Sequence, residues 1–406
     1  MHPFSKQFII FIYNIIRGIH MQNFIYYTPT KVYFGKDEEE KVGKIIKEYN
    51  PKKVLIHYGM SSAEKSGLLD KVEKYLDMEN ISYITLGGVK PNPELSLVRK
   101  GIELSKREDV DFILAIGGGS VIDSAKDIAN GLANPLDDVW DYSIGVKKPS
   151  KTIKKGCILT ISAAGSEMSN SCVITNDITK EKRGYGSDMN RMDFAIMNPE
   201  LTYTVSKYQT ACGAVDIAMH TIERFFCIGG DTYLTDEIAL AIIKSTMKAG
   251  LDSYNNPYDY AARSNMMWAS SLAHNGLTQC GRNFLLSVHQ LEHELSGMYS
   301  EIAHGAGLAA LFPSYARYVY KSNIERWTKY SEYIFGTTDI LKAISLQEEY
   351  YKSLGMPTNL KQLNVKEEDL EVLAYKTSRS KTRILDGYMK LGYDEILDIF
   401  KMAYNA

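Results

Sequence analysis

The chain has 406 residues, too many for one small core, so two domains of ordinary size are expected. With 45% hydrophobic and 24% charged residues it has the make-up of a soluble globular protein, and a net charge of -2 gives no electrostatic reason to bind nucleic acid or an anionic membrane. The five cysteines, Cys157, Cys172, Cys212, Cys227 and Cys280, form no CxxC pair and suggest no disulfide framework, which points to a reducing cytosol.

An apolar run from Phe8 to Ile16 comes first. It is well short of the roughly 20 residues that span a bilayer, and Gly18-Ile19-His20 is a poor cleavage site. Residues 1–20 therefore read as an extension ahead of Met21. From there short β-branched runs alternate with helical stretches. Strands are expected at Lys31–Gly35, Lys53–Gly59, Ile81–Leu86 and Phe112–Ile116, with helices at Glu64–Met78 and Leu95–Lys106 between them. This alternation predicts βαβ units and a mostly parallel sheet. Beyond about residue 205 apolar positions recur at helical spacing, as in Thr210–Cys227, Thr235–Asp252, Ala261–Gly276, Phe284–Gly297 and Tyr393–Tyr404. The expected layout is an α/β domain over 21–205 and an all-helical domain over 206–406, tightly joined, with a ligand cleft between them.

Ile116-Gly117-Gly118-Gly119-Ser120 reads as a strand, a glycine turn and a helix start. Glycines let backbone N–H groups approach a pyrophosphate, and a helix N-terminus adds partial positive charge; Ser120 is expected to cap that helix. The turn is not GxGxxG, so an ordinary Rossmann reading does not follow from it. A second turn, Gly59-Met60-Ser61-Ser62-Ala63-Glu64-Lys65, lacks the early carboxylate that holds a ribose 2′-hydroxyl. Its hydroxyls and Lys65 suit a 2′-phosphate instead. A third turn, Leu159–Glu167, reads simply as a loop.

Five of the eight histidines, His220, His274, His289, His293 and His304, fall in about a fifth of the chain. Asp216 and His220 are four apart on an expected helix, as are His289 and His293, so each pair shares a face, and Glu223 shares the first. Ser296 and Gly297 are expected to loosen the second helix. One carboxylate with three imidazoles suits Fe²⁺ or Zn²⁺ and not Ca²⁺ or Mg²⁺.

Together these stretches resemble the iron-containing (group III) alcohol dehydrogenases, most closely the NADP(H)-dependent butanol dehydrogenase branch. The resemblance runs from about Asn23 to Tyr404. It rests on Tyr27-Thr28-Pro29-Thr30, Pro91-Asn92-Pro93, Gly117–Ser120 with Asp123, Leu159-Thr160 and Gly165-Ser166-Glu167. It rests further on Asp216-xxx-His220, Met267-Trp268-Ala269-Ser270, His289-xxx-His293-Glu294-Leu295 and His304-Gly305. It implies a Rossmann-like domain followed by an all-α domain, an architecture like that of dehydroquinate synthase. It also implies metal ligation by Asp216, His220, His289 and His304, with His293 as a proton-relay group beside the substrate. Gly118, Gly119 and Ser120 match the pyrophosphate turn, and Asp123, Thr160 and Lys182 line the cofactor cleft. Gly59 and Asn92 belong to the same cleft, and Ser62 and Lys65 match the 2′-phosphate positions. The implied activity is hydride transfer between NADP(H) and small primary alcohols or aldehydes, by a cytoplasmic homodimer.

Three departures stand out. Gly59-Met60-Ser61 replaces three glycines, Ser169 replaces an asparagine, and His304 lies 11 positions after His293, one more than expected. The rival readings are a glycerol dehydrogenase or a sugar-phosphate cyclising lyase on the same architecture, or a non-enzymatic NADP-binding protein with a structural metal. A lyase would want basic residues beside the ligands, and the flanking Ala218, Met219, Trp268, Gln290 and Leu291 are not basic. A structural metal is normally closed by four ligands, often cysteines, and no cysteine belongs to this cluster. If Asp216 is a ligand, Asp216→Ala abolishes turnover through metal loss and leaves nucleotide binding intact. Metal content and NADPH-binding titration check this, and near-normal turnover refutes it.

Overall fold

The computed structural model describes residues 21–227 and 230–406, so the extension expected at 1–20 lies outside it. Eight strands fall in the first half: β1 (Lys31–Phe34), β2 (Val54–Gly59), β3 (Tyr83–Val89), β4 (Phe112–Gly117), β5 (Lys154–Leu159), β6 (Ser171–Asn176), β7 (Glu181–Gly186) and β8 (Phe194–Met197). Six form one sheet in the order β1-β8-β5-β4-β2-β3, with every pairing parallel. Strand side chains alternate between faces. Leu55, Ile113 and Ala115 pack into one core, while Val54, Ile56, Leu114 and Ile116 pack into another on the opposite side. Burial on both faces explains why these strands read as continuous apolar runs. The helices α1 (Leu68–Met78), α2 (Leu95–Arg107) and α3 (Gly119–Ala133) cover the two faces.

Chain order reverses between β2 and β4, since β3 lies outside β2 while β5 lies beyond β4. The crevice at the carboxyl ends of such neighbouring strands is where open α/β sheets bind ligands. The turns after β2, β4 and β5 therefore meet along one edge, although they are far apart in sequence. β6 and β7 form a separate antiparallel hairpin that the sequence reading did not anticipate. The helix expected over 64–78 is two pieces, Ser62–Lys65 and α1, because Gly67 takes a left-handed φ of 71° between them. Ser120 does not cap α3; the N-cap is Gly118, with no side-chain bond.

The last strand of the sheet ends at Met197, and α4 (Lys207–Phe225) begins after Ser206, whose side chain accepts from the Gln209 N–H at 3.2 Å. Every residue of α4 from Thr210 to Phe225 is buried. It is the axis of the helical half, packed by α5 (Tyr233–Asn255), α6 (Tyr260–His274) and α8 (His304–Val319). A helix buried all round can carry polar side chains only if something meets them. α7 (Ser287–Met298) packs on α8 and runs straight through Ser296 and Gly297, contrary to the expected loosening. No helix among the described residues is long and apolar enough to cross a membrane.

The halves are strapped together where the loop after β5 meets α6. Ser270 Oγ donates to the Ala163 carbonyl at 3.1 Å, and His274 Nδ1 to that of Ala164 at 2.7 Å. Gly165 sits between them at a φ of 62°, and a Cβ there would lie 2.3 Å from the Ser270 carbonyl oxygen. Gly165→Ala is therefore expected to cost about 3 kcal/mol through backbone strain and overpacking, seen as a lowered thermal midpoint. An unchanged midpoint would show that the junction does not need this close approach.

Candidate active site and metal centre

A cleft of about 770 Å³ runs from the turn after β2, past the glycine turn, to the histidines of the helical half. At its sheet end the glycine turn leaves no room for a side chain at Gly117 or Gly118. A Cβ on Gly118 would lie 2.1 Å from Ile161 Cγ2. α3 begins at Gly119, so its unpaired N-terminal N–H groups face the cleft. Gly59, Ser62, Asn92, Gly118, Gly119 and Ser120 all line it. Asp123 and Lys182 do so as well, but Thr160 and the exposed Lys65 do not.

Asp123 also holds the floor of the cleft together. Its carboxylate accepts from Ser166 Oγ at 2.5 Å, from the buried Lys126 ammonium at 3.2 Å and from the Val173 N–H at 2.9 Å. Lys126 in turn donates to Ser166 Oγ and the Ser171 carbonyl, each at 2.7 Å. Ser169, the departure noted above, lines the cleft beside this lysine.

At the other end α4 supplies Asp216 and His220, α7 supplies His289 and His293, and His304 opens α8. Asp216 Oδ1 stands between three imidazoles, 3.4 Å from His220 Nε2, 3.6 Å from His289 Nε2 and 3.8 Å from His304 Nε2. Asp216, His289 and His304 present ligand atoms within 4.8 Å of one another. The extra residue between His293 and His304 is thus taken up in the loop after α7 without displacing His304.

A cation fits this arrangement on two counts. Asp216 Oδ1 and His289 Nε2 are buried and have no hydrogen-bond partner, a costly state for a carboxylate oxygen. Ligand atoms held tetrahedrally at about 2.0–2.1 Å from one ion lie about 3.4 Å apart, close to the separations found.

The backs of two of these rings are held by carboxylates. Glu223 accepts from His289 Nδ1 and from the Val288 and His289 N–H groups at 2.6 and 3.2 Å. Glu292 accepts from His304 Nδ1, with Lys182 Nζ at 3.4 Å. Carboxylate–histidine pairs of this kind fix the tautomer and aim Nε2 at a metal. Burial pulls the His289 imidazole down, but Glu223 and Asp216 outweigh it and raise it to about 9. Burial opposes ionisation of Glu292, and His304 and Lys182 outweigh it, holding that carboxyl well below its usual range. Burial, with Lys182 and His304 nearby, drives His293 down, so its imidazole is neutral at physiological pH.

Three features escaped the sequence reading or received no role in it. Glu292 gave no periodic signal beyond standing three residues after His289. His274, counted in the histidine cluster, packs on His220 at 4.0 Å between ring centroids with the planes tilted by 37°, and ties the two halves together through Ala164. The neighbourhood of the ligands is also not poor in basic groups, because Arg224 lies beside His220 and Lys182, Arg183, Arg379 and Arg383 line the cleft. These come from other segments, which flanking residues could not reveal.

A doubly wound parallel sheet joined to a helical unit, with a carboxylate–imidazole cluster facing their shared cleft, has the architecture of the two-part metal-dependent nucleotide enzymes. Residues 29–199 match the iron-containing alcohol dehydrogenase family, and residues 210–404 match the C-terminal family of the Fe-containing alcohol dehydrogenases. The chain belongs to the iron-containing alcohol dehydrogenase family. It is 39% identical over 392 residues to NADH-dependent butanol dehydrogenase A of Clostridium acetobutylicum, covering 95% of this chain and 100% of that one. It is 31% identical over 397 residues to the NADPH-dependent aldehyde reductase YqhD of Escherichia coli, covering 95% and 100%. Among solved structures, NADH-dependent butanol dehydrogenase A of Thermotoga maritima matches with a TM-score of 0.90 at 37% identity, covering 95% and 100%.

Glu223→Gln keeps the shape of the side chain and removes its charge. It is expected to weaken metal binding about 10–100-fold, measured by competition with a chromogenic chelator. Unchanged affinity would mean that Glu223 does not orient a metal-binding ring.

Proposed function

We propose that this chain is a metal-dependent alcohol dehydrogenase and aldehyde reductase that transfers hydride between NADP(H) and small primary alcohols or aldehydes such as butanol and butanal. The observation that carries this reading is the unpaired Asp216 Oδ1 set among three imidazole Nε2 atoms, in the same cleft as the Gly118–Ser120 turn. Asp216, His220, His289 and His304 would hold Fe²⁺ or Zn²⁺, which supplies Lewis acidity toward a carbonyl oxygen. The glycine turn and the N-terminus of α3 hold the pyrophosphate, and Lys182 and Asp123 line the path toward the histidines. His293, neutral and beside the cluster, is placed to relay a proton, taken up from solvent at one ring nitrogen as the other gives its own to the oxygen while the carbonyl carbon gains hydride. Ser206 is taken as the boundary between the nucleotide-binding and helical domains. Five free cysteines suit a reducing cytosol, and the family resemblance suggests a homodimer.

Support for NADP(H) lies at the end of β2. Ser61, Ser62 and Lys90 line the cleft there, while Glu64 is engaged by Tyr58 Oη at 2.9 Å and lies outside the lining. Lys65, outside it too, carries no part of this reading. NADH is the second reading, favoured by the NADH-dependent names of relatives at 35–39% identity.

The test is anaerobic oxidation of NADPH and of NADH with butanal, on protein loaded with Fe²⁺ or Zn²⁺ and on a chelated control. Metal-dependent turnover with higher kcat/KM for NADPH is expected. A higher value for NADH would replace the cofactor assignment, and no turnover with either at full metal occupancy would remove the dehydrogenase reading.

A further inference from the structure

The end of the cleft beyond the histidines holds more positive charge than it pairs. Lys182 is matched by Glu292, and Arg183 by Glu294 and by Glu181 at 2.9 Å. Arg379 and Arg383 line the same cleft, and among the described residues neither is in an ion pair. Arg383 is half-buried, and Nη2 donates to the neutral amide of Gln290 at 2.9 Å. Gln290 directly follows His289 and both line the cleft, so Arg383 is tied to α7 next to a residue of the histidine cluster. Burial and the neighbouring Arg379 and Arg183 push the Arg383 guanidinium down from its ordinary value, and Glu294 opposes them only in part. A smaller cavity of about 380 Å³ shares Arg183 and Arg379 with the cleft and adds Lys376 and Ser380.

Two unpaired guanidinium groups therefore converge on a cleft in a chain whose net charge is -2. A planar fork of fixed N–H donors binds a carboxylate through two parallel bonds, and positive charge focused in a cleft draws anions in. We propose that Arg383, assisted by Arg379, forms a carboxylate-binding subsite, and that the preferred substrates are short aldehydes, and the matching alcohols, with a carboxylate at the end remote from the reacting carbon. This rests on the dehydrogenase reading above. The chemistry is unchanged: the carbonyl carbon gains hydride, its oxygen gains a proton, the nicotinamide is oxidised, and the remote carboxylate takes no part.

The experiment compares kcat/KM of the metal-loaded enzyme for butanal and for 4-oxobutanoate, with shorter and longer carboxylate-bearing aldehydes alongside and the better nicotinamide cofactor throughout. The carboxylate substrate is expected to be favoured at least about tenfold, as for a charge-assisted hydrogen bond, mainly through KM. Added salt should shrink that advantage. The ratio should collapse toward one in Arg383→Met, persist in part in Arg383→Lys, and fall in Arg379→Ala, a change at an exposed side chain. Equal kcat/KM for both aldehydes in the unaltered enzyme overturns the proposal while leaving the dehydrogenase reading in place. A ratio unmoved in both Arg383→Met and Arg379→Ala does the same. No turnover with any aldehyde removes both readings.

Discussion

A buried carboxylate oxygen with nothing to bond to is among the most costly features a core can hold, and the helical half is built around one. Asp216 Oδ1 lies in the middle of α4, with its nearest polar neighbours three imidazole nitrogens at 3.4–3.8 Å. The desolvation penalty of such a group is several kcal/mol unless a counter-charge meets it. A divalent cation would meet it, and the packing around Asp216 suits that reading. α7 and α8 close on α4 so that His289 and His304 can point inward, and Glu223 and Glu292 sit behind those rings to keep Nε2 free. Five ionisable side chains in one small volume stay compatible because carboxylates and imidazoles alternate, in the order Glu223, His289, Asp216, His304 and Glu292.

The second constraint is the joint between the halves. Hydride transfer requires reacting atoms to be within bonding range, and small errors in placement cost large factors in rate. The nucleotide turn belongs to the sheet and the cation cluster to the helices. Their relative position depends on contacts between α6 and the loop after β5 and on the β6–β7 hairpin, whose Lys182 and Arg183 pair with Glu292 and Glu294 of α7. His274 serves both sides, since its Nδ1 holds the Ala164 carbonyl and its ring packs on His220. Gly165 lets the two backbones touch. Neither residue needs to meet substrate or cofactor for its loss to disturb the reaction.

Charge is distributed unevenly along the cleft. The nucleotide end relies on backbone N–H groups and hydroxyls, while ionised side chains gather toward the histidines. Lysine and arginine come there from the β6–β7 hairpin and from the segment after the Leu370–Thr377 helix. Arg379 and Arg383, which line the cleft without an ion pair among the described residues, are the cationic groups there that an anionic ligand would meet.

Much of this molecule was written locally. Residues of β4 are apolar without interruption, and those of β2 nearly so with only the buried His57 among them, because both faces of a parallel sheet are covered, so their strands could be read in order. The Asp216–His220 and His289–His293 spacings placed ligand types on common helix faces by the geometry of 3.6 residues per turn, and together with His304 they made the cation cluster legible. What depended on distant contacts was not legible. The β6–β7 hairpin has mixed, half-exposed faces, and Gly67 breaks a helix whose hydrophobic pattern continues through it. Lys65 belongs to a promising motif but points away from the cleft, whereas Glu292, Arg379 and Arg383 belong to no motif and point toward the site. Sequence periodicity reports which face of an element is apolar, so by itself it determined that a parallel α/β half is followed by a helical half and that a carboxylate and several histidines share helix faces. Which polar groups from separate elements share one cavity depends on how those elements pack, and only the tertiary structure decided that.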